Sequence, residues 1–463
     1  MKYWQRKSRQ KRENPLYKLV FLLTVLTLLS SSLPLVTRVE YTTLYTNFPL
    51  LSSGESVYYV TSKVKISQGN ILKVWHFGKI KVYKMMLDTK EVIEISKIAL
   101  GVFSPEKHKI SVMDKPYTLF STTLTQEDLK QYHRKTSKYL GNGTTVCIID
   151  TGIDFLHPDF FRNDKSVVSC MVSMYFISNS NTYLTWIPEV NGSLEDAWEL
   201  EQDIYKTYGM YAWMDENGHG THVAGIIASQ GNMGFVGLAP GVDLVIVKAF
   251  DKLGVAGLDI VLEALEWVYN NTARYKIRIV NISWGSRGDN RGIDPLSLVI
   301  DYMTDKLGLI FVCAMGNSGN VPFTVNIPAC ARRAVAVGAF DPANRKIAEF
   351  SSFGTTVDLR IKPDFVGAGV NIISCKPVTI RSYIEEMYPQ VVYNNYYMVL
   401  SGTSMATPCV VSVYASYIQK LLTETNTKPS YTTLYNELVK NSEHINRYYK
   451  DFISGWGIPL ICD

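Results

Sequence analysis

Charged side chains are sparse in this sequence, and the surplus of positive charge lies almost wholly at one end. They make up 19% of the 463 residues against 46% hydrophobic ones, a balance that argues against disorder and leaves room for two folded units and a leader. Residues 1–18 carry seven lysines and arginines against Glu13 alone, a surplus of six. Subtracting six from the formal charge of +5 leaves −1 for the remaining residues. The composition therefore gives no support to nucleic-acid binding.

Long apolar runs are also scarce, and the one that stands out directly follows the basic N-terminus. Residues 19–36 (LVFLLTVLTLLSSSLPLV) are interrupted near their end by serines and Pro34. A positive stretch before such a run is typical of a secretory signal, which is our preferred interpretation. Its length also approaches the ~20 residues that a membrane span needs, so an uncleaved anchor stays the alternative. We predict an extracellular or cell-surface protein that meets a membrane only through residues 19–36, if these are uncleaved.

Metal-binding patterns are missing, since no CxxC pair and no zinc-like spacing of His and Cys occurs. The cysteines number seven, an odd count. Cys147, Cys313 and Cys409 lie in apolar segments and are predicted to be buried free thiols. The others lie in loop-like contexts where an exported protein can form disulfides, with the pairing left open: Cys170, Cys330, Cys375 and Cys462.

Two blocks with different patterns follow the leader. Residues 40–118 alternate strand-like and polar segments around one helix-like stretch (EVIEISKIAL), with no obvious catalytic cluster. From about residue 141, continuous apolar runs such as TTVCIID, VDLVIVKAF and GLIFVCAM alternate with helical segments, as buried parallel strands do. We predict a signal peptide or anchor over residues 1–39, a small α/β domain over 40–118, and an α/β domain with a mainly parallel sheet over 119–463.

Three reactive side chains stand at the ends of these predicted elements. Asp150 ends the strand TTVCIID, and His219 begins an apolar helix in NGHGTHVAG. Ser404 begins the long helix of SGTSMATPCV, with Pro408 expected in its first turn. Each signal alone is modest, because an Asp at a strand end is more often structural. Together they supply a nucleophile, a base and a group that orients the base, and parallel sheets gather such groups at one edge.

Several ordered segments resemble the subtilisin-like serine peptidases, the subtilases. They include IIDTGIDFLHPDF, NGHGTHVAGIIAS, AMGNSGN and SGTSMATPCV, and the similarity covers about residues 141–458. The chain order Asp, His, Ser is also that of subtilisin. The resemblance implies a three-layer subtilisin-like fold and a serine endopeptidase that works through an acyl-enzyme. Ser404 would attack the scissile carbonyl, His219 would accept and return the proton, and Asp150 would orient the imidazole.

The resemblance also implies further site residues. Asn317, in AMGNSGN, matches the asparagine whose side-chain amide completes the oxyanion hole beside the backbone N–H of Ser404. The expected substrate-binding residues form two walls of an apolar specificity pocket: Ser283, Trp284 and Gly285 on one side, and Ala314, Met315 and Gly316 on the other. Such a pocket favours a large apolar residue before the scissile bond.

No cofactor is required for this chemistry, but the resemblance allows a structural calcium ion. Residues 229–235 (SQGNMGF) match one common calcium site of the family, with few of the usual side-chain ligands and Asn232 as the best candidate. The expected partners are protein or peptide substrates and the chain's own propeptide. Residues 40–118 stand where the family has its inhibitory propeptide, and we expect self-cleavage between about residues 110 and 130.

Two insertions distinguish the chain from compact subtilases. We expect residues 161–214 near the rim of the cleft, and the Tyr-rich residues 376–398 as a small packed satellite rather than a binding surface. His222, one helical turn after His219, is expected to be structural, and Asp154 to make a local loop contact.

Two other functions stay open. A catalytically silent relative used as a binding protein is disfavoured, because Asp150, His219, Ser404 and Asn317 are all present. A dedicated processing protease, anchored or specific for a few partners, is the other alternative. Acid-active relatives that use a Glu base are disfavoured by the presence of His219.

Overall fold

The strands and helices follow the apolar pattern of the sequence closely in the second block and less closely in the first. The computed structural model describes residues 56–104, 110–112, 138–177, 183–319, 321–445 and 449–461. The first block contains β1 (Ser56–Ser62), β2 (Asn70–Phe77), β3 (Ile80–Leu87), α1 (Thr89–Ser96), β4 (Gly101–Phe103) and β5 (Ile110–Val112).

The second block begins with β6, and its elements are as follows. The strands are β6 (Thr145–Asp150), β7 (Phe161–Arg162), β8 (Lys165–Ser166), β9 (Val168–Ile177), β10 (Tyr183–Trp186), β11 (Asp243–Lys248), β12 (Val255–Ala256), β13 (Ile277–Ile282), β14 (Trp284–Gly285), β15 (Ile310–Ala314), β16 (Val335–Asp341), β17 (Lys346–Ile347), β18 (Gly354–Thr355), β19 (Ile361–Lys362), β20 (Phe365–Ala368), β21 (Ile372–Cys375), β22 (Tyr397–Leu400), β23 (Ser442–Glu443) and β24 (Ile458–Pro459). The helices are α2 (Pro188–Asn191), α3 (Leu194–Tyr208), α4 (His219–Ala228), α5 (Leu258–Asn271), α6 (Pro295–Leu307), α7 (Tyr383–Met387), α8 (Thr403–Thr425) and α9 (Tyr431–Lys440), with 3₁₀ turns at Pro158–Phe160 and Pro389–Val391.

The central sheet has the strand order β10-β9-β11-β6-β13-β15-β16-β17, and β20 also pairs with β16. The pairs from β9 to β16 and the β16–β20 pair are parallel, while β10 and β17 add antiparallel edges. This confirms the predicted α/β fold with a mainly parallel sheet.

The continuous apolar strands exist because both faces of this sheet are buried. In β6, Val146 and Ile148 pack into a core on the side of α4 and α8, while Cys147 and Ile149 pack into a second core on the side of α5 and α6. Helices thus cover the sheet on both faces, which is the three-layer arrangement.

The first block forms an antiparallel sheet of its own, in the order β2-β3-β1-β4. Strand β2 was not predicted, because its first four residues are exposed and break the alternation of buried and exposed positions. The buried side chains of Trp75, Phe77 and Val82 pack against the core on the α5 and α6 side. Strand β5 does not belong to this sheet. It pairs with β12 and β14 of the second block.

The insertion 161–214 does more than extend the rim of a cleft. Its strand β9 pairs in parallel with β11 and so widens the central sheet, and β10 forms the outer edge. Its helix α3 is closed at the N-terminus by a capping box between Ser193 and Asp196. Trp186 and Trp213 are buried in the core that also contains Ile153.

Cys170, Cys330 and Cys375 were predicted to lie in loops and to be able to form disulfides. The predicted loop position is wrong for Cys170 and Cys375, and the predicted disulfides are wrong for all three. Cys170 lies in β9 and Cys375 in β21, and all three are buried free thiols, as are Cys147, Cys313 and Cys409. Cys147 and Cys170 both pair with Val245 from opposite sides, so they stand two strand spacings, about 9.5 Å, apart. A disulfide cannot span that distance. Burial raises the pKa of the Cys170 thiol to about 11.

Some predictions concern residues outside the described ones. These are the signal or anchor at 19–36, the boundaries after residues 39 and 118, and Cys462. Among the helices that the structure describes, none combines the length and the apolar character required to cross a bilayer.

A buried ion cluster connects β20 to the C-terminal part of the chain. Asp364 is 4% exposed and accepts hydrogen bonds from Lys362 Nζ (2.7 Å), Lys450 Nζ (2.6 Å), Tyr435 OH (3.0 Å) and the N–H of Ala336 (2.8 Å). Burial alone would raise the pKa of Asp364, but the two lysines outweigh it and hold the pKa well below its ordinary value. The ionised form therefore stabilises the fold.

We predict that Asp364→Asn lowers the free energy of unfolding by about 3–5 kcal/mol at pH 7, because it leaves two ammonium groups without their carboxylate. Since the pKa is depressed in the folded state, the contribution of Asp364 is present above its unfolded pKa of about 4 and is lost as the pH falls further. Urea unfolding at pH 7 and pH 3.5, in a Ser404→Ala background that limits proteolysis, measures both effects.

The matched control is Asp358→Asn. Asp358 pairs with Arg360 and Arg332 at the surface, where an ion pair contributes about 0–1 kcal/mol. The role given to Asp364 would be contradicted if the two variants lost equal free energy of unfolding. It would also be contradicted if the destabilisation by Asp364→Asn were larger at pH 3.5 than at pH 7.

Candidate active site

Asp150 and His219 meet inside the protein at the carboxyl end of β6. His219 Nδ1 lies 2.7 Å from Asp150 Oδ1, and both residues are 0% exposed. The backbone N–H of Thr151 donates to the same carboxylate oxygen at 2.8 Å. A carboxylate at this depth requires such donors, and the contact leaves Nε2 as the ring nitrogen on the far side of the imidazole.

His219 is held by a turn that depends on another buried acid, Asp215. The carboxylate of Asp215 accepts hydrogen bonds from the N–H groups of Asn217 (3.1 Å), Gly218 (2.8 Å) and Thr221 (2.8 Å). Gly218 has φ +106°, a conformation that favours glycine. Asp215 thereby fixes the first turn of α4, where His219 stands.

The same acid also connects this turn to the strand that carries Asp150. Thr151 Oγ1 donates to Asp215 Oδ1 at 2.8 Å and accepts from the N–H of Gly220 at 2.9 Å. Asp215 and Thr151 were not predicted. The local signal that could have indicated Asp215 is an acid three residues before the N-cap Gly218 of an apolar helix, since its carboxylate accepts from N–H groups of the first turn.

Ser404 is the second residue of α8, a helix that packs against α4. Its Oγ donates to the carbonyl of Ser283 at 2.8 Å, and the hydroxyl of Ser283 donates to the carbonyl of Ser404 at 2.9 Å. Pro408 lies in the second turn of α8, not in the first as predicted. Because proline has no N–H, it cannot bond the Ser404 carbonyl four residues back, and the Ser283 hydroxyl takes that place.

Asn317 stands opposite the start of α8 and is oriented by Thr403. Its Oδ1 accepts hydrogen bonds from the N–H and from the Oγ1 of Thr403, both at 3.0 Å. Thr403 Oγ1 in turn accepts from the N–H of Gly316 at 3.2 Å. Since an amide carries its oxygen and nitrogen on opposite sides, this turns the Nδ2 donors away from Thr403. Thr403 was not predicted, although it directly precedes Ser404.

The predicted substrate-binding residues lie around these groups, and all six are buried. Ser283 follows β13, and Trp284 with Gly285 forms β14. Ala314 ends β15, and Met315 and Gly316 follow it. The side chain of Trp284 belongs to the core, where its Nε1 donates to the carbonyl of Ile149 at 2.8 Å, so only its backbone borders the edge of β14.

That edge is occupied by the chain's own strand β5. Val112 pairs with Trp284 and Ser111 with Gly285, both antiparallel. On the other side, Ser111 and Ile110 pair with β12, and the N–H of Val112 donates to the carbonyl of Gly254 at 3.0 Å. The side chain of Ile110 is buried in the core next to α5 and α6. A peptide segment is thus held between two strands beside Ser404.

Two other polar residues have structural roles. His222 Nε2 lies 3.0 Å from the carbonyl of Ile372, and burial and the neighbouring His219 lower the pKa of His222 to about 3, as expected of a core histidine. Asp154 makes the predicted local loop contact, since its Oδ1 accepts from the N–H of Leu156 at 3.2 Å. It also accepts hydrogen bonds from the N–H groups of Val378 and Thr379, which belong to the second insertion.

The second insertion was predicted to be a small packed satellite, and the structure shows that it also contacts the turn of Asp215. Ile384, Val391 and Tyr397 are buried, and the N–H groups of Tyr383 and Ile384 donate to the carbonyls of Glu216 and Asn217 beside the turn of Asp215.

The candidate calcium loop does not fit a calcium ion. Asn232 presents its amide as a donor, with Nδ2 bonded to the carbonyls of Pro158 and Phe161 at 2.8 Å. The adjacent carboxylate of Asp159 accepts from Tyr397 OH (2.5 Å), Ser229 Oγ (3.0 Å) and the N–H of Met233 (2.8 Å). Calcium needs six to eight oxygen ligands, whereas donors of the protein already surround this carboxylate.

His157, Asp159 and Cys375 offer metal-binding atoms within 4.8 Å of one another. Their atoms bond to protein groups, however. His157 Nδ1 accepts from the N–H of Asp159 at 3.1 Å, its Nε2 lies 3.1 Å from the carbonyl of Tyr396, and the thiol of Cys375 lies 3.8 Å from Asp159 Oδ2. The cluster is a hydrogen-bond network that joins β21 and β22 to the loop after β6.

Comparison with known proteins agrees with this fold and with these motifs. The model of the Subtilase family matches residues 141–457, and the chain belongs to that family. The resemblance found in the sequence is thereby confirmed.

Three relatives show how far the similarity extends. The chain is 30% identical over 317 residues to serine protease AprX of Bacillus subtilis, covering 65% of this chain and 63% of AprX. It is 33% identical over 249 residues to minor extracellular protease Epr of Bacillus subtilis, covering 53% of this chain and 33% of Epr. It is 33% identical over 319 residues to subtilisin Savinase of Lederbergia lenta, covering 66% of this chain and 92% of Savinase. The chain thus spans less than two thirds of the length of AprX and of Epr.

We predict that Tyr397→Phe lowers the free energy of unfolding by about 2–3 kcal/mol, because it removes a donor from the buried Asp159 carboxylate and an acceptor from the N–H of Phe235. Urea unfolding in the Ser404→Ala background measures this. Tyr393→Phe is the control. Because Tyr393 is 48% exposed, removing its hydroxyl should change the free energy of unfolding by no more than about 0.5 kcal/mol. Equal effects of the two substitutions would contradict the role of Tyr397.

Proposed function

We propose that this chain is an exported serine endopeptidase that cleaves protein or peptide substrates with Asp150, His219 and Ser404. The observation that carries the proposal is the buried 2.7 Å contact between His219 Nδ1 and Asp150 Oδ1. His219 lies on α4, which packs against the helix α8 that carries Ser404 in its first turn. Membership of the Subtilase family and similarity to relatives named as proteases support the same activity.

In the proposed reaction, Ser404 Oγ attacks the scissile carbonyl carbon while its proton passes to His219 Nε2. Asp150 keeps the imidazole in the tautomer that can accept this proton and stabilises the resulting imidazolium. Collapse of the tetrahedral intermediate breaks the C–N bond, and His219 protonates the leaving amine. Water then hydrolyses the acyl-enzyme by the same proton transfers in reverse. These proton and acyl transfers use the three side chains and water and require no cofactor.

The negative charge of the tetrahedral intermediate would be stabilised by Asn317 Nδ2 and by the backbone N–H of Ser404. The two bonds from Thr403 to Asn317 Oδ1 support this role, because they fix the amide before substrate arrives. A donor that is fixed in advance needs no reorganisation during the reaction, and loss of one such donor in a subtilisin costs about 10²–10³ in kcat.

We further propose that residues 40–118 are an inhibitory propeptide. Support comes from β5, which pairs with β12 and β14 as a bound peptide would. Support also comes from α5, where Asp259 bonds to Tyr59 and Lys84, and Glu263 pairs with Lys73. These polar contacts add to the apolar packing of Trp75, Phe77 and Val82 against the core beside α5 and α6.

Export is part of the proposal. It is supported by the basic and apolar N-terminal sequence and by one relative whose name describes an extracellular protease. Residues 19–36 would act as a signal peptide or, if uncleaved, as an anchor.

We predict that Ser404→Ala abolishes hydrolysis of casein and labelling by a fluorophosphonate, because both reactions require the Ser404 hydroxyl as nucleophile. Activity should fall by at least about 10³-fold. Ser412→Ala is the matched control on the same helix, since the Ser412 hydroxyl bonds only one turn back to the carbonyl of Pro408 at 2.8 Å. The proposed function would be contradicted if the wild-type protein neither reacted with the fluorophosphonate nor hydrolysed casein, or if the Ser404→Ala variant were fully active.

The register of β5 predicts where self-cleavage occurs. Val112 pairs with Trp284. Because the two strands are antiparallel, the residue after Val112 would pair with the residue before Trp284, which is Ser283. The carbonyl of Ser283 accepts the Ser404 hydroxyl. A strand continued in this register would bring the bond after Met113 to Ser404. Residues 113–137 themselves lie outside the described residues.

We therefore predict that the mature enzyme begins at Asp114, with Met113 as the large apolar residue before the cut. N-terminal sequencing and intact mass of the wild-type protein test this, and Ser404→Ala should keep the precursor uncut. The same cut in Ser404→Ala protein would contradict self-cleavage, and a first cut at another bond would contradict the register.

A further inference from the structure

Glu201 is an acidic residue buried in the insertion. It lies on α3 and is 0% exposed. Its carboxylate accepts hydrogen bonds from three consecutive backbone N–H groups, those of Ala212 (2.5 Å), Trp213 (2.5 Å) and Met214 (2.6 Å). Successive N–H groups of this kind form a concave site for an anion, and here the anion is a side chain of the same chain.

The ionised form of Glu201 is the one that fits this site, because all three partners are donors. Burial raises the pKa of Glu201, while Lys248 and the three backbone N–H groups oppose that rise. Lys248 is itself buried and donates from Nζ to the carbonyl of Met214 at 2.7 Å. Glu201 and Lys248 therefore fix the same short segment, residues 212–214, from two sides.

Segment 212–214 borders the loop that follows Asp150. The carbonyl of Trp213 accepts the N–H of Ile153 at 3.1 Å. Gly152 lies so close that a Cβ added there would stand 2.4 Å from the same carbonyl oxygen. A shift of this segment would therefore move the loop that holds the Asp150 carboxylate.

The segment also leads directly into Asp215, the acid that fixes the first turn of α4. Through Asp215 it connects to the N–H groups of Gly218 and Thr221, on either side of His219, and to the hydroxyl of Thr151. Hydrogen bonds, together with the covalent chain from residue 212 to 215, thus join Glu201 to the loop of Asp150 and to the turn of His219.

We propose that Glu201 is a positioning residue for Asp150 and His219, acting through segment 212–214. The inference rests on the proposed function for its kinetic consequence, but the geometry that it concerns exists in the folded protein with or without catalysis. The insertion 161–214 would then contribute to the reaction by fixing the catalytic pair rather than by contacting substrate.

The experiment compares Glu201→Gln with Glu199→Gln in the full-length, self-processed enzyme. Glu199 lies on the same helix and is exposed, so its variant makes the same chemical change without touching segment 212–214. We expect Glu201→Gln to lower kcat by about 10- to 100-fold, since small misplacements of reacting groups cost up to about 10². KM should stay within about twofold, because the described hydrogen bonds of Glu201 go to residues 212–214 and not to β12 or β14. Glu199→Gln should match wild type.

Titration with a fluorophosphonate separates positioning from folding, because it counts the competent sites. Fewer competent sites with an unchanged kcat per site would mean that Glu201 only stabilises the fold, and would overturn the inference. A kcat for Glu201→Gln equal to that of Glu199→Gln would overturn it as well. If Glu201→Gln does not fold, Glu201→Asp, which keeps the charge and withdraws it by one methylene, is compared in the same way.

A second measurement does not depend on activity. The measurement is the far-downfield ring N–H signal of the Asp150–His219 contact in ¹⁵N-histidine-labelled Ser404→Ala protein, and a His219→Gln variant assigns it. We expect this signal to shift or broaden when Glu201→Gln is added. It should stay unchanged when Glu199→Gln is added. An unchanged signal in both would overturn the inference even for an active wild type. A wild type without activity would overturn the proposed function, while this signal would still decide the role of Glu201.

Discussion

The carboxylate of Asp150 is removed from water at the end of a buried strand, and the surrounding structure is arranged to supply what water would otherwise provide. Its oxygen Oδ1 receives the ring N–H of His219 and the backbone N–H of Thr151. An ionised carboxylate in such a place costs several kcal/mol unless its hydrogen bonds are well aligned. The two donors stand on different elements, so the loop after β6 and the first turn of α4 must be fixed relative to each other.

That relative position is fixed by acids that take no direct part in the proposed chemistry. Asp215 accepts hydrogen bonds from both elements, namely from the hydroxyl of Thr151 in the loop after β6 and from the N–H of Thr221 in α4. One carboxylate thereby holds the two elements together. Behind it, the segment from Ala212 to Met214 is closed by Glu201 on one side and Lys248 on the other. The insertion is part of this arrangement, since Trp213 shares a core with Ile153 in the loop after Asp150. A change inside the insertion is therefore expected to reach the site through packed backbone rather than through substrate contacts.

The sequence predicted those parts of the fold whose pattern is local. Strand β6 and helix α1 were predicted because a strand covered on both faces and a helix with one apolar face leave clear patterns. Asp150 and His219 were found because each is a polar residue at the end of an apolar element. Glu201 shares the buried face of α3 with Leu194, Ala197 and Ile204, whereas Glu199 is exposed, so helical spacing separates the two. The three backbone donors that Glu201 meets could not be predicted, because they come from the return of the chain at residues 212–214.

The cysteines were misjudged for a related reason. In VSCMVSM, two serines interrupt the apolar residues, and this polar appearance hides a strand that is buried between β10 and β11. The burial of Cys170 depends on neighbours that are distant in sequence, and so does that of Cys375, which pairs with Tyr397 from the far side of the second insertion. Local polarity therefore predicted exposed loops where long-range pairing produces core.

Pro408 illustrates how one residue couples the candidate nucleophile to the peptide-binding edge. Because Pro408 has no N–H, it cannot donate to the carbonyl of Ser404 four residues back, and the hydroxyl of Ser283 donates to that carbonyl. In return, the carbonyl of Ser283 accepts the hydroxyl of Ser404. Ser283 directly precedes β14, the strand that holds β5. The position of the Ser404 hydroxyl relative to a bound peptide is thus set by two reciprocal hydrogen bonds between helix and strand, and a helix with an ordinary residue at position 408 would supply its own donor and weaken that coupling.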